Sequence, residues 1–221
     1  AAMLTTPESI RTLQRKLYRK AKQEPAYRFY ALYDKVYRAD ILSHAYRLVR
    51  AKKGSAGVDG VTFEAIESAE GDTAFIADLQ EALKSRSYAP SPVRRVMIPK
   101  ADGSKRPLGI PTIRDRVAQM AVKLVIEPIF EAEFCDSSYG FRPKKSAHGA
   151  VDDIVYALNC GYTEVIDADV TKYFDTIPHA KLMTVMAERI VDGAILHILQ
   201  MWLKAPVVGE DEDGTRSNIG G

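Results

Sequence analysis

In a chain most of whose periodic stretches read as helices, residues 93–110 carry the pattern of a β-hairpin, VRRVMIPKADGSKRPLGI. Val93 to Ile98 and Lys105 to Ile110 read as a strand and its return. The Ala101-Asp102-Gly103-Ser104 turn between them holds the glycine and aspartate that hairpins favour. Five cations, Arg94, Arg95, Lys100, Lys105 and Arg106, crowd this short unit. Like charges repel unless an anion sits among them, and nucleic acid or a nucleoside triphosphate would serve. Lys and Arg on an exposed strand edge also block edge-to-edge pairing, so the residues alone leave both readings open.

At 221 residues, with 46% hydrophobic and 27% charged residues, the chain is long enough for a sizeable core in one or two domains and has the composition of a soluble globular protein. No apolar run approaches the roughly 20 residues that span a bilayer, and no signal-peptide pattern opens the chain, so no membrane partner is expected. Cys135 and Cys160 lack C-x-x-C spacing, which points to buried or idle thiols in a reducing cytoplasm. The net charge of +2 conceals an asymmetry: residues 1–120 sum to +9 and residues 121–221 to −7. A basic surface joined to an acidic one suits a protein holding a polyanion on one side and metal cations on the other; it also suits ordinary charge unevenly dealt.

Thr6-Pro7-Glu8 reads as a helix start, with a capping hydroxyl and proline at the first helical position. Behind it Ile10, Leu13, Leu17 and Ala21 recur at helical spacing among Arg11, Arg15, Lys16, Arg19, Lys20 and Lys22. This basic amphipathic helix suits nucleic acid, a membrane surface, an acidic partner or plain solvation. Helical patterns follow over about 26–37, 40–52 and 73–86. Gly54, Gly57 and Gly60 make a tight loop without the G-K-[ST] of a phosphate loop. Thr112 caps a long helix over about 114–134, expected to bend or break at Pro128. Ser137 to Pro143 is a loop whose Tyr139, Phe141 and Arg142 have the chemistry to stack on bases, although buried loop aromatics are as common. Ser146 caps a helix that Gly161 closes; Pro178 and Asp192 begin two more, and Val207 to Ser217 forms a second hairpin.

Residues 165–179, VIDADVTKYFDTIPH, read as a strand that sets Asp167 and Asp169 on one face. Paired carboxylates repel unless water, a cation or a basic group compensates, and Mg²⁺ typically takes one or two carboxylates with phosphates and water. A solvated strand edge is the plainer reading of a lone D-x-D, and spacing alone does not choose between the two aspartates.

Taken in order, I98-P99-K100, R106-P-L-G-I-P-T112, D115-R116-V-A-Q119, S138-Y-G-F-R-P143 and D167-A-D-V-T-K-Y-F-D175 resemble the reverse transcriptases encoded by bacterial group II introns, the maturases. The resemblance implies an α+β right-hand polymerase: fingers that are mostly helical with a basic hairpin, and part of a palm whose antiparallel sheet is backed by helices. It implies a helical extension over 1–53, fingers over 54–160 with the hairpin at 93–110, and the first part of a palm over 161–221. By resemblance Asp169 and the main-chain carbonyl of Val170 ligate Mg²⁺, with Asp167 a weaker candidate. Phe174 stacks beneath the sugar, Lys100 and Arg106 grip the triphosphate, and Arg94 lies near template or nucleotide. Arg95, Arg15, Arg19, Lys20 and Arg142 face RNA. The partners implied are an intron RNA template, a DNA primer and dNTPs, and the reaction is two-metal phosphoryl transfer.

The family's second palm motif, Tyr-x-Asp-Asp, occurs nowhere in the 221 residues, so the chain is expected to fold without polymerising by itself. Two alternatives stand beside this: an RNA-binding module that assists intron splicing, and a haloacid-dehalogenase-like phosphatase with Asp167 as nucleophile. The latter requires a parallel βα sheet continuing past D167-A-D-V-T171.

Overall fold

A computed structural model describes residues 4–69, 71–99, 101, 103–170, 173–210 and 216–220. In chain order the elements are α1 (Glu8–Gln23), α2 (Tyr33–Val36), α3 (Ala39–Ala51), α4 (Phe63–Ala69), α5 (Gly71–Lys84), β1 (Val93–Pro99), β2 (Lys105–Ile110), α6 (Ile113–Glu131), α7 (Ala147–Asn159), α8 (Tyr173–Thr176), α9 (His179–Arg189), α10 (Gly193–Leu203), β3 (Val207–Glu210) and β4 (Arg216–Gly220). The fold is α+β, as the resemblance implies.

Helix α6 is the centre. Thr112 caps it, its hydroxyl accepting from the Asp115 main-chain N–H. Helices α1 and α3 both pack on α6, which is why Val117, Ala118, Ala121, Val122, Val125 and Ile129 are all buried. From α1 come Ile10 and Leu17, from α3 Ile41, Leu42, Ala45 and Val49, and from α5 Leu79 and Leu83. Each Val, Leu or Ile among them contributes about 1.5–3 kcal/mol when fully buried. The helix runs through Pro128 to Glu131 rather than ending at it. Pro128 cannot bond the Leu124 carbonyl, and the Gln14 side chain donates to that oxygen instead at 3.0 Å.

The core also draws in the distant residues Ile190, Ile195 and Ile198. Asp192 makes this join: one carboxylate oxygen caps α10 through Ala194 N–H and Ile195 N–H, and the other accepts from Leu32 N–H and Tyr33 N–H, both at 2.8 Å. Phe29 completes it with a parallel bridge to Ile190. Residues 26–37, expected to be one helix, are helical only over Tyr33–Val36, because the main chain near Phe29 bonds to 189–192. One core thus runs across the boundary drawn at residue 53 and includes residues beyond 190. Among the described residues, none between Ala132 and Ile190 belongs to it. In α7, whose Ser146 cap forms as expected, no residue is buried, and Val151, Ile154, Val155 and Tyr156 are exposed.

The sheet has the order β2-β1-β3-β4. The hairpin β1–β2 is antiparallel, with Val96 opposite Leu108 and Ile98 opposite Arg106. Beyond residue 160, β3 and β4 pair antiparallel, as the resemblance implies for the palm, and β3 joins the hairpin in parallel through β1, Val93 meeting Val207 and Arg95 meeting Gly209. The segment 162–170 corrects the expected strand: it is in no strand, and Val165, Ile166 and Val170 lie open to solvent. A strand needs a neighbour to bond, and no described strand runs beside it. Helices α8, α9 and α10 follow, and the next strand begins at Val207, so the βα continuation that a phosphatase of the haloacid-dehalogenase type requires does not follow the motif.

Candidate nucleic-acid interface

Strand alternation and register divide the hairpin's cations between two faces. Arg94 and Arg106 share a face with Val96, Ile98 and Leu108, whereas Arg95 and Lys105 share the other with Met97. Lys105 and Arg106 are exposed on β2, the outer strand, and Arg95 is half-buried. Lys100, expected to grip the triphosphate, lies outside the described residues.

Arg94 is drawn inward. Its guanidinium donates to the Ala56 carbonyl at 2.8 Å, and its Nε is buried without a partner. From α6, Arg116 donates to the neighbouring Ser55 carbonyl at 2.7 Å, and burial pushes its pKa below the ordinary arginine value. Two arginines from different elements thus fasten the glycine loop to the base of the hairpin. Gly57 permits this approach, because a Cβ there would stand 2.6 Å from the Thr112 Cα. Sequence reading gave Arg116 no role; the signal was its place one turn after the Thr112 cap, beside a loop whose glycines permit close contact.

A buried polar network anchors the same region. The Tyr88 hydroxyl donates to Asp115 at 2.6 Å and accepts from the Trp202 indole at 2.9 Å. The other Asp115 oxygen takes the Thr112 hydroxyl at 2.7 Å and the Ser91 N–H at 3.1 Å. Burial, then the Asp115 charge, raises the Tyr88 pKa, so the phenol stays protonated as a donor. Asp115 of the D115-R116 block is therefore a structural tie between α6, α10 and the lead into β1.

Asp167 and Asp169 are both exposed. Phe174 on α8 is 75% exposed, its ring edge-to-face with Phe141 at 6.4 Å and with Tyr173 at 5.4 Å. Among the described residues no group of three or more His, Cys, Asp or Glu side chains could hold a metal ion. Asp167, Asp169 and the Val170 carbonyl therefore have no further carboxylate or imidazole grouped with them among the described residues.

Arg142 departs from its expected place on an RNA-facing surface. Its guanidinium pairs with Glu131 at 2.7 Å, donates to the Cys135 and Ser138 carbonyls at 2.6 and 2.7 Å, and keeps only 8% of the side chain exposed. The hydrogen bond to Glu131 raises its pKa. Its donors are spent on the loop's own carbonyls and on the end of α6, so it fixes the loop's shape against that helix. Cys135 and Cys160 are both free and exposed.

On α1, Arg19 is exposed and Arg15 pairs with Glu8, while Lys20 pairs with Glu24 at 2.6 Å and lies over the Tyr27 ring. Arg15, Tyr18, Arg19 and Lys144, together with Glu8, Glu127 and Glu131, line an open groove of about 940 Å³. No described helix is long and apolar enough to cross a membrane.

Comparison with known proteins covers the hairpin and the aspartate segment together. Residues 98–218 match the family described as reverse transcriptase (RNA-dependent DNA polymerase). The chain is 39% identical over 202 residues to Protein YkfC of Escherichia coli K12, an alignment covering 89% of this chain and 52% of that one. It is 34% identical over 178 residues to the group II intron-encoded protein LtrA of Lactococcus lactis subsp. cremoris, covering 80% of this chain and 29% of LtrA. The chain thus spans about half or less of the length of these relatives. A chain in the solved partial Cas6-RT-Cas1–Cas2 complex superposes with a TM-score of 0.49 at 20% identity, over 82% of this chain and 29% of that one. With the match extending over more than half of its residues, the chain belongs to the reverse transcriptase (RNA-dependent DNA polymerase) family.

Proposed function

We propose that this chain is the template- and nucleotide-holding portion, fingers and first part of the palm, of an RNA-directed DNA polymerase of the group II intron type. The observation that carries the reading is the cationic hairpin: Arg95, Lys105 and Arg106 have no ion-pair partner among the described residues, and they stand within or beside the matched span. Unneutralised cations on a rigid strand pair favour a phosphate backbone or triphosphate. In this reading Arg106 and Lys100 hold the triphosphate, Phe174 supports the sugar, Arg95, Arg15, Arg19 and Lys20 lie along RNA, and Arg94 acts indirectly by fixing the 54–57 loop. Asp169, with Val170 and Asp167, contributes to a Mg²⁺ site whose remaining donors lie outside the described set, so no chemical step is assigned to it.

A second reading rests on the relatives' names, one of which is a group II intron-encoded protein and another a nuclear intron maturase. It takes the same surface as an RNA-binding module that assists splicing. Both readings require polyanion binding, which a salt titration tests. Affinity for a single-stranded RNA should fall linearly on a log–log scale, by about 0.7 per phosphate contacted. Lys105→Ala with Arg106→Ala should flatten that slope by about 1.4 while leaving the fold intact. An unchanged slope would remove the hairpin from the interface. Preference for a folded intron over an unstructured RNA of equal length separates splicing assistance from general template holding.

A further inference from the structure

Phe141 stands at φ 56°, in the left-handed region, where a bulky side chain is an outlier. Its neighbour Gly140, for which that region is open, does not occupy it. Burial does not explain the strain, since Phe141 is 94% exposed. The loop around it imposes the conformation. On one side the Tyr139 hydroxyl donates to Asp153 of α7. On the other, Arg142 is tied to Glu131, Cys135 and Ser138, and Lys145 donates to the Asp136 carbonyl at 2.6 Å while lying over the Tyr139 ring at 4.6 Å. A strained residue that its surroundings over-determine is a pointer to use. The Phe141 ring touches the Phe174 ring edge-on, with 79° between their planes, so each keeps a face open. Lys144, also left-handed at φ 61°, carries the same loop into the groove lined by Arg15 and Arg19.

We infer that Phe141 is a stacking platform for a nucleobase, set at right angles to Phe174, with the attached phosphates running toward Lys144 and the α1 arginines. The inference rests on the nucleotide-holding function proposed above and names a residue outside the set given by the family resemblance. The chemistry favours a base over an apolar protein segment, because an exposed aromatic face on a loop that carries Lys144 to a groove of mixed charge, lined by Arg15 and Arg19 as well as Glu8, Glu127 and Glu131, matches a π-surface joined to phosphate. The base belongs either to a free nucleotide or to a nucleic-acid strand.

Two probes separate these sources: 2-aminopurine deoxyriboside triphosphate, and a 12-nucleotide RNA carrying one 2-aminopurine, whose fluorescence is quenched on stacking. Phe141→Ala should weaken the probe whose base sits on the ring about tenfold, Phe141→Trp should preserve it, and Phe141→Leu should behave like the alanine variant. Phe141→Gly should lose the same affinity while its melting temperature holds or rises, because glycine takes a positive φ without steric cost. Binding of both probes within twofold of the parent by the Ala and Gly variants overturns the inference, as does full binding by Phe141→Leu, which would show apolar packing instead of stacking. If the parent chain binds neither probe, the proposed function falls with it. If it binds with the expected salt slope and only the Phe141 variants are silent, the platform alone is refuted.

Discussion

The Gln14 side-chain amide donates to the main-chain carbonyl of Leu124, the oxygen that Pro128 leaves without its helical donor. Proline inside a helix costs about 3 kcal/mol, part of it for that orphaned carbonyl. Gln14→Ala should therefore destabilise the chain by about 1 kcal/mol in urea unfolding. In a Pro128→Ala background the restored N–H takes over, and the effect of Gln14→Ala should shrink toward zero. Equal losses in both backgrounds would show that Gln14 does not compensate for the proline.

Tyr88 holds Asp115 and Trp202 together through one hydroxyl. Removing it with Tyr88→Phe leaves a buried carboxylate oxygen and an indole N–H each short of a partner, at a cost of about 1–3 kcal/mol. Asp115→Asn should be similarly costly. Denaturation midpoints read both, and a shift below the scatter between replicate melts would count against the network.

His44 is almost fully buried on α3 with neither ring nitrogen bonded, and burial, then the charge of Arg47, holds its pKa below the ordinary histidine value. The unfolded chain therefore takes up this proton first. Stability is fully present above the unfolded pKa of about 6.5 and is lost as pH falls below it toward the depressed folded value. His44→Leu should remove this component, flattening the dependence of melting temperature on pH between about 7 and 5. An equally steep curve in the variant would assign the slope to other groups.

The lack of a Tyr-x-Asp-Asp motif in the 221 residues yields a prediction about chemistry. With Mg²⁺, dNTPs and a primed RNA template, the chain by itself should extend no primer above background in a gel assay, even where it binds the template. Robust synthesis would mean that the described carboxylates suffice.

How much of this was legible varied with distance along the chain. The hairpin at 93–110 and the Thr112, Ser146 and Asp192 caps rest on neighbours within a few residues, and they form as the pattern implied. The same Asp192 also holds the Leu32 and Tyr33 N–H groups, and nothing near position 32 signals a carboxylate from so far away. The strand reading of 165–170 failed for a related reason: periodicity registers a residue's preference for a ladder but not the presence of the other side. Arg94 and Arg142 were identifiable as cations, yet only tertiary contacts show that backbone carbonyls and Glu131 already engage them. Helix α4 escaped notice because Phe63 and Ile66 are too few to mark a period.

Because Val93 meets Val207 across the parallel ladder, one side of β1 stays unpaired until β3 has been synthesised. A ribosome that has just released β2 and α6 holds a cationic ribbon with a bare rim beside a helical core that is already closing. Translation order therefore makes the hairpin the late-docking unit, exposed to stray strand pairing in the interval. Hydrogen exchange on chains stalled before Pro206 and beyond β3 should show the Val93 amide, which donates to the Pro206 carbonyl at 2.7 Å, protected only in the longer species while the β1 amides facing β2 are protected in both, and early protection of Val93 would place its docking before that ladder exists.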